Sequence, residues 1–147
     1  MTEPTSAMTG GLMSLSEVDL PPRPARGDIW LVSLGAARRG ELGKVRPAVV
    51  VSSDGLQMGT PYDLITVVPV TTAAWHRSSL IAPAMPAGGG LQQDSVVLCD
   101  APRAIVPARF LRRLGEVSDQ TLCQIIEARS YVEGWDCSHS LSLSGQG

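Results

Sequence analysis

The chain has 147 residues, 44% of them hydrophobic and 18% charged, with a formal net charge of -2 at pH 7. That length suits one domain with a real core, and that balance excludes both a wholly disordered chain and a protein that coats nucleic acid through bulk positive charge. With 15 glycines, 11 prolines and only three Trp, two Tyr and one Phe, many short elements joined by turns are expected rather than long helices.

Residues 1–24 are rich in Ser, Thr, Pro and Gly and read as a flexible N-terminal arm. Met1 to Leu20 lacks a basic start and a continuous apolar block, and it carries Glu3, Glu17 and Asp19, so it does not read as a signal peptide. No stretch approaches the roughly 18 apolar residues of a membrane span, so a soluble, cytoplasmic domain with no membrane partner is expected. That domain occupies residues 25–135, and residues 136–147 read as a second loose tail.

Within the domain, Arg26-Gly27-Asp28 leads into a short strand at Ile29 to Val32. A glycine-hinged loop follows over residues 35–45, with Arg38, Arg39, Glu41 and Lys44. Ala48 to Ser52 is the next strand, and its unbroken apolar run predicts burial on both faces. After a turn over 53–61 comes a strand at Leu64 to Val70, in which Pro69 predicts an edge or a terminus. Thr71 and Thr72 close it, and a polar loop with Trp75, His76 and Arg77 follows. A short strand is expected at Ser79 to Ala82, and a Pro/Gly loop over 83–90 that ends in Gly88-Gly89-Gly90. That triplet has no lysine after it and is not a phosphate loop.

Further strands are expected at Asp94 to Cys99, at Ala104 to Val106 and at Phe110 to Gly115, the last with its arginines facing out. One clear helix runs from Asp119 to Tyr131, with Ser118 as N-cap, Gly134 as the stop, and Leu122, Ile125 and Ile126 as its apolar stripe. Five or six short strands and one helix predict a mainly β fold with a C-terminal helix, closed as a small barrel. The three cysteines, Cys99, Cys123 and Cys137, form no Cys-x-x-Cys, and Cys99 and Cys123 read as core residues. With only His76 inside the domain, no metal site and no cofactor are expected.

Two polar residues at strand ends stand out: Arg46, before Pro47 and a buried run, and Thr71, after another. They lie in a set of stretches that resembles one family. Arg26-Gly27-Asp28-Ile29-Trp30, Gly43-Lys44-Val45-Arg46-Pro47-Ala48-Val49-Val50-Val51-Ser52, Val67-Val68-Pro69-Val70-Thr71 and Asp94-Ser95-Val96-Val97, in this order, resemble the MazF/PemK (Kid) toxin endoribonucleases of type II toxin–antitoxin systems. The resemblance implies an SH3-like or CcdB-like barrel, a homodimer, cleavage of single-stranded RNA, and neutralisation by a cognate antitoxin. It places the family's catalytic arginine on Arg46, its threonine on Thr71, and the PemK-type aspartate on Asp100. It also exposes three departures: Leu98 where the PemK branch carries a catalytic arginine, Gly40 where it carries a histidine, and Ala101 where it carries a glutamine.

The implied chemistry suits these residue types. RNA brings its own nucleophile, the 2′-hydroxyl, so the protein must supply a proton acceptor, a proton donor and stabilisation of charge on phosphorus. Arg46 offers a rigid donor fork and Thr71 a hydroxyl donor. Arginine is a poor base, so the acceptor is Glu41 or Asp100. Arg38, Arg39, Lys44, Arg77 and Arg103 are the candidate RNA phosphate contacts, and Trp75 and His76 are placed to stack on unpaired bases. Two other readings stay open: a CcdB-like toxin that binds gyrase without cutting, and a catalytically silent RNA-binding or regulatory module.

Overall fold

The structure is a computed structural model and describes residues 23–35, 44–73 and 78–134. Among the described residues, seven strands follow one another as β1 (Asp28–Ser33), β2 (Val45–Val50), β3 (Ile65–Thr71), β4 (Ala84–Met85), β5 (Ser95–Val97), β6 (Arg103–Ile105) and β7 (Phe110–Glu116), and helix α1 (Asp119–Val132) comes last. All pairings are antiparallel, in the order β4-β5-β3-β2-β1-β7, with β6 also on β3. The sheet curls into a half-barrel with the helix against one face. This is the mainly β architecture with a C-terminal helix expected from the sequence. The arm, apart from Arg23 and Pro24, and the tail lie outside the described residues.

Alternation along β2 and β3 explains why Ala48 to Val50 and Val67 to Val70 run apolar without a break. Val49, Val68 and Val70 face one core, together with Ile29, Cys99 and the helix residues Ile125 and Ala128. Ala48, Val50, Ile65 and Val67 face a second core with Val32, Ile105 and Phe110. Each fully buried valine stabilises the fold by roughly 1.5–3 kcal/mol. Trp30 packs edge-on against Phe110, with ring centroids 5.7 Å apart. The helix begins where expected: the Ser118 hydroxyl accepts the Thr121 N–H at 3.1 Å. It stops at Gly134, whose φ of 73° places it in the left-handed region.

Four expectations are corrected. Pro69 is not at an edge; it is fully buried in β3, which has partners on both sides. It is tolerated because β3 changes partner there: Ile65 to Val67 pair with β6, whereas Val70 and Thr71 pair with β5. Its carbonyl still accepts the Leu98 N–H at 2.8 Å. Cys123 is exposed; it lies two residues, roughly 200°, round the helix from the buried Ile125. Residues 79–82 form only a tight bridge between Ser79 and Ala82, while the expected Pro/Gly loop contains β4.

The glycine triplet has a structural use. Gly88 to Leu91 forms the tight turn between β4 and β5, at one end of the strand order. It packs on β7, the strand at the other end. A methyl group on Gly90 would lie 2.3 Å from the Leu114 carbonyl oxygen, and one on Gly115 would lie 2.0 Å from that of Gly89. The curl therefore closes by backbone against backbone, at a distance only glycine permits.

Candidate active site

The register of the central strands brings the two singled-out residues together. β2 and β3 pair Val50 with Val67, Val49 with Val68 and Ala48 with Pro69. Continued by two residues, that register sets Arg46 level with Thr71. Alternation puts Arg46 on the face of Ala48 and Val50, and Thr71 on the face of Val67 and Pro69, which is the same face. Arg46 also pairs with Val32 across β1, and it is half-buried and engaged with other groups.

Thr71 is buried at the end of β3, 8% exposed. Its Oγ1 accepts the Ala73 N–H at 3.2 Å, a local turn that orients the hydroxyl. The oxygen is thereby engaged as an acceptor while its own proton remains available to donate. Leu98 comes close to this pair: Val96 lies opposite Thr71 and Val97 opposite Val70, so the next pair sets Leu98 against Pro69 on Thr71's face. The position of the PemK-type arginine is thus on the right face but occupied by a half-buried leucine.

Asp100 is exposed in the turn after β5, which the Ala101 N–H closes onto the Leu98 carbonyl at 3.2 Å. Arg129 Nη1 from the helix donates to the Cys99 carbonyl at 2.6 Å and anchors that turn. Burial pushes the Cys99 thiol up to about 11, with Asp100 adding to the rise and Arg129 opposing it. Cys99 is therefore a protonated core thiol at neutral pH and not a nucleophile.

Lys44 is exposed at the return of the first loop, with a φ of 64°, the one non-glycine residue in the left-handed region among those described. Arg103 is half-buried in β6, and its Nη2 donates to the Leu34 carbonyl at 3.1 Å. Arg38, Arg39, Glu41, Trp75, His76 and Arg77 lie outside the described residues.

One cluster was not singled out from the sequence. Asp28 is buried and accepts from the Ala25 N–H at 2.9 Å, the Trp30 indole at 3.0 Å and Arg113 Nε at 3.2 Å. It ties the Arg-Gly-Asp turn to β7, and the acidic residue at the head of an apolar strand was its only signal. One cavity, of about 790 Å3, lies between the helix and residues 78–84. Another, of about 330 Å3, is bordered by Pro47 and Thr72, the chain neighbours of Arg46 and Thr71, and by Arg112.

The fold is a small curled-β domain of a kind seen in solved MazF structures. MazF from Deinococcus radiodurans superposes with a TM-score of 0.65 at 24% identity, covering 78% of this chain and 99% of that one. A mycobacterial endoribonuclease solved in complex with its cognate antitoxin superposes at 0.61 and 23% identity, covering 77% and 97%. Among curated proteins, endoribonuclease MazF9 of Mycobacterium tuberculosis is 39% identical over 118 residues, 75% of this chain and 97% of that protein. Endoribonuclease PemK of Escherichia coli is 34% identical over 109 residues, 73% and 80%. Residues 25–129 match the family model described as PemK-like, MazF-like toxin of type II toxin–antitoxin system, and the chain belongs to that family.

Proposed function

We propose that this endoribonuclease toxin cleaves single-stranded RNA, mRNA above all, without a metal, through Arg46 and Thr71. The observation that carries the reading is the β2–β3 register, which, continued two residues past the Ala48–Pro69 pair, sets Arg46 and Thr71 level on one face. In the proposed step the RNA 2′-oxygen attacks the adjacent phosphorus, and the bond to the 5′-oxygen breaks. The 2′-proton passes to a carboxylate, Glu41 or Asp100, and the leaving 5′-oxygen takes up a proton from water. Arg46 and the Thr71 hydroxyl donate to the non-bridging oxygens as negative charge gathers there. The products are a 2′,3′-cyclic phosphate and a 5′-hydroxyl.

The protein works in the cytoplasm as a homodimer and is held in check by a cognate antitoxin. Support for the antitoxin comes from family membership and from the solved mycobacterial relative, which was crystallised with its own. The gyrase-binding alternative has no such support. A silent module is favoured by the leucine at position 98 and the glycine at position 40, where the PemK branch carries an arginine and a histidine.

The test is a digest of a long unstructured RNA with purified protein in EDTA, with fragment ends mapped. Discrete fragments with cyclic-phosphate ends are expected, and their loss in Arg46→Ala while the fold is kept. Intact RNA from a folded parent protein would leave the silent module standing.

A further inference from the structure

Two arginines reach back to the neck of the first loop. Arg103 Nη2 donates to the Leu34 carbonyl at 3.1 Å, and Arg109 Nη1 donates to the Ser33 carbonyl at 3.3 Å. The neck itself is closed by the Leu34 N–H on the Lys44 carbonyl at 2.8 Å and the Lys44 N–H on the Gly35 carbonyl at 2.5 Å. Gly35 and Lys44 turn it with φ of 79° and 64°, and at Lys44 that conformation is strained. A neck built on a strained residue needs support from outside itself.

Arg103 gives that support from a particular place. Its backbone pairs with Val67 of β3, the strand that ends in Thr71. Its guanidinium holds Leu34, which is buried and bonded to Lys44, two residues before Arg46. One side chain therefore ties the strand of Thr71 to the segment that leads into Arg46. Arg109 makes a longer bond from an exposed position. Arg103, half-buried and closer, is the firmer of the two.

We propose that Arg103 is a positioning residue for RNA cleavage, which fixes the loop neck through the Leu34 carbonyl and does not itself hold RNA phosphate. This rests on the endoribonuclease reading of Arg46 and Thr71. The two roles open to Arg103 leave different traces. Removing a phosphate contact raises KM and lowers the salt slope of binding by about one. Removing a positioning group lowers kcat and leaves KM and the salt slope alone.

The variant is Arg103→Met, which keeps the apolar stem and removes every donor. Cleavage of a short single-stranded RNA is measured over a range of salt, together with amide hydrogen exchange. The expected result is a kcat lower by about 10- to 100-fold with KM and salt slope at parent values. The Leu34 and Lys44 amides exchange about tenfold faster or more, while Val49 and Val68 in the ladder keep their protection. Arg103→Lys, which retains a donor, recovers most of both; if the Met variant does not fold, Arg103→Gln, which keeps a neutral donor for the Leu34 carbonyl but loses the charge, carries the test by its parent-like KM and salt slope. A raised KM with a lower salt slope overturns the proposal, as does unchanged exchange at Leu34 and Lys44. A parent that cuts no RNA overturns the endoribonuclease reading instead, and the exchange data still decide whether Arg103 holds the neck.

Discussion

The β2–β3 ladder and the seam between the glycine turn and β7 are both meetings of distant chain segments, and they are held in opposite ways. In the ladder, Val49, Val50, Val67 and Val68 are fully buried on both faces of the sheet, and backbone hydrogen bonds fix the register. At the seam, Gly89 and Gly90 approach Leu114 and Gly115 so closely that no side chain fits between them. The ladder is secured by what its residues contribute, the seam by what they lack. Substitutions at the polar end of the ladder should therefore change chemistry and spare stability, and substitutions at the seam should do the reverse.

The largest effect is expected at the ladder's end. Thr71→Val keeps the shape of the side chain and removes the hydroxyl. If Thr71 has its proposed role, cleavage falls by roughly 100- to 1,000-fold, the usual consequence of losing one donor to a developing oxyanion. The melting temperature should fall only slightly, since the lost bond from the Ala73 N–H is one local contact. Thr71→Ser should keep most of the rate. A Val variant that cuts as fast as the parent removes Thr71 from the mechanism.

Next comes Gly115→Ala. The new methyl meets the Gly89 carbonyl oxygen at 2.0 Å, and backbone cannot step aside as a side-chain tip can. The cost is about 3 kcal/mol, at the upper end for overpacking, and the melting temperature drops by roughly 10–15 °C. Protein that remains folded should cut RNA near the parent rate. Gly88→Ala sharpens the point: nothing lies within 4 Å of its methyl position, so only its φ of 126° matters. Its loss should be about 1 kcal/mol, the low end of backbone strain. Equal losses at Gly88 and Gly115 would mean that the seam is not a close-packed joint.

The same contrast explains what could be read from the sequence. The Ser118 cap and the Gly134 stop are local signals, and each appears where expected; the apolar run from Ala48 pointed to a strand ending at Ser52, whereas β2 spans Val45–Val50. Pro69 was misread because its tolerance depends on β5 and β6, which come some 25 or more residues later in the chain. Gly88-Gly89-Gly90 was legible as a turn, but its partner Gly115 is remote in sequence. Arg46 and Thr71 could be picked out singly as polar ends of apolar runs. A small barrel could be expected to bring them to one rim, but the level at which they meet could not be read, because strand register is a property of the folded sheet. Cys123 shows a smaller error of the same kind: proximity to an apolar stripe in sequence is not proximity round a helix.

The smallest effect concerns the turn that joins the ladder's two strands. Asp63 is buried there and accepts from the Thr60 hydroxyl at 2.9 Å and from the Gly59 and Thr60 amides at 2.9 and 3.3 Å. Burial alone would push its carboxyl up; the hydrogen bonds, the Thr60 hydroxyl's foremost, outweigh it and hold the carboxyl below its ordinary 3.8. A folded value below the unfolded one means the carboxylate stabilises the fold above that ordinary value, and the contribution is lost as pH falls through the folded value. Asp63→Asn, which cannot ionise, should melt below the parent at neutral pH, and the gap should close as the pH is lowered beneath 3.8. Cleavage at neutral pH should stay at the parent rate, because the ladder's valines and hydrogen bonds set the register without help from the turn. A constant gap down to about pH 2 would show that the hydrogen bonds, not the charge, account for the difference. A loss of cleavage in Asp63→Asn would show that the turn, and not the ladder alone, sets Arg46 against Thr71.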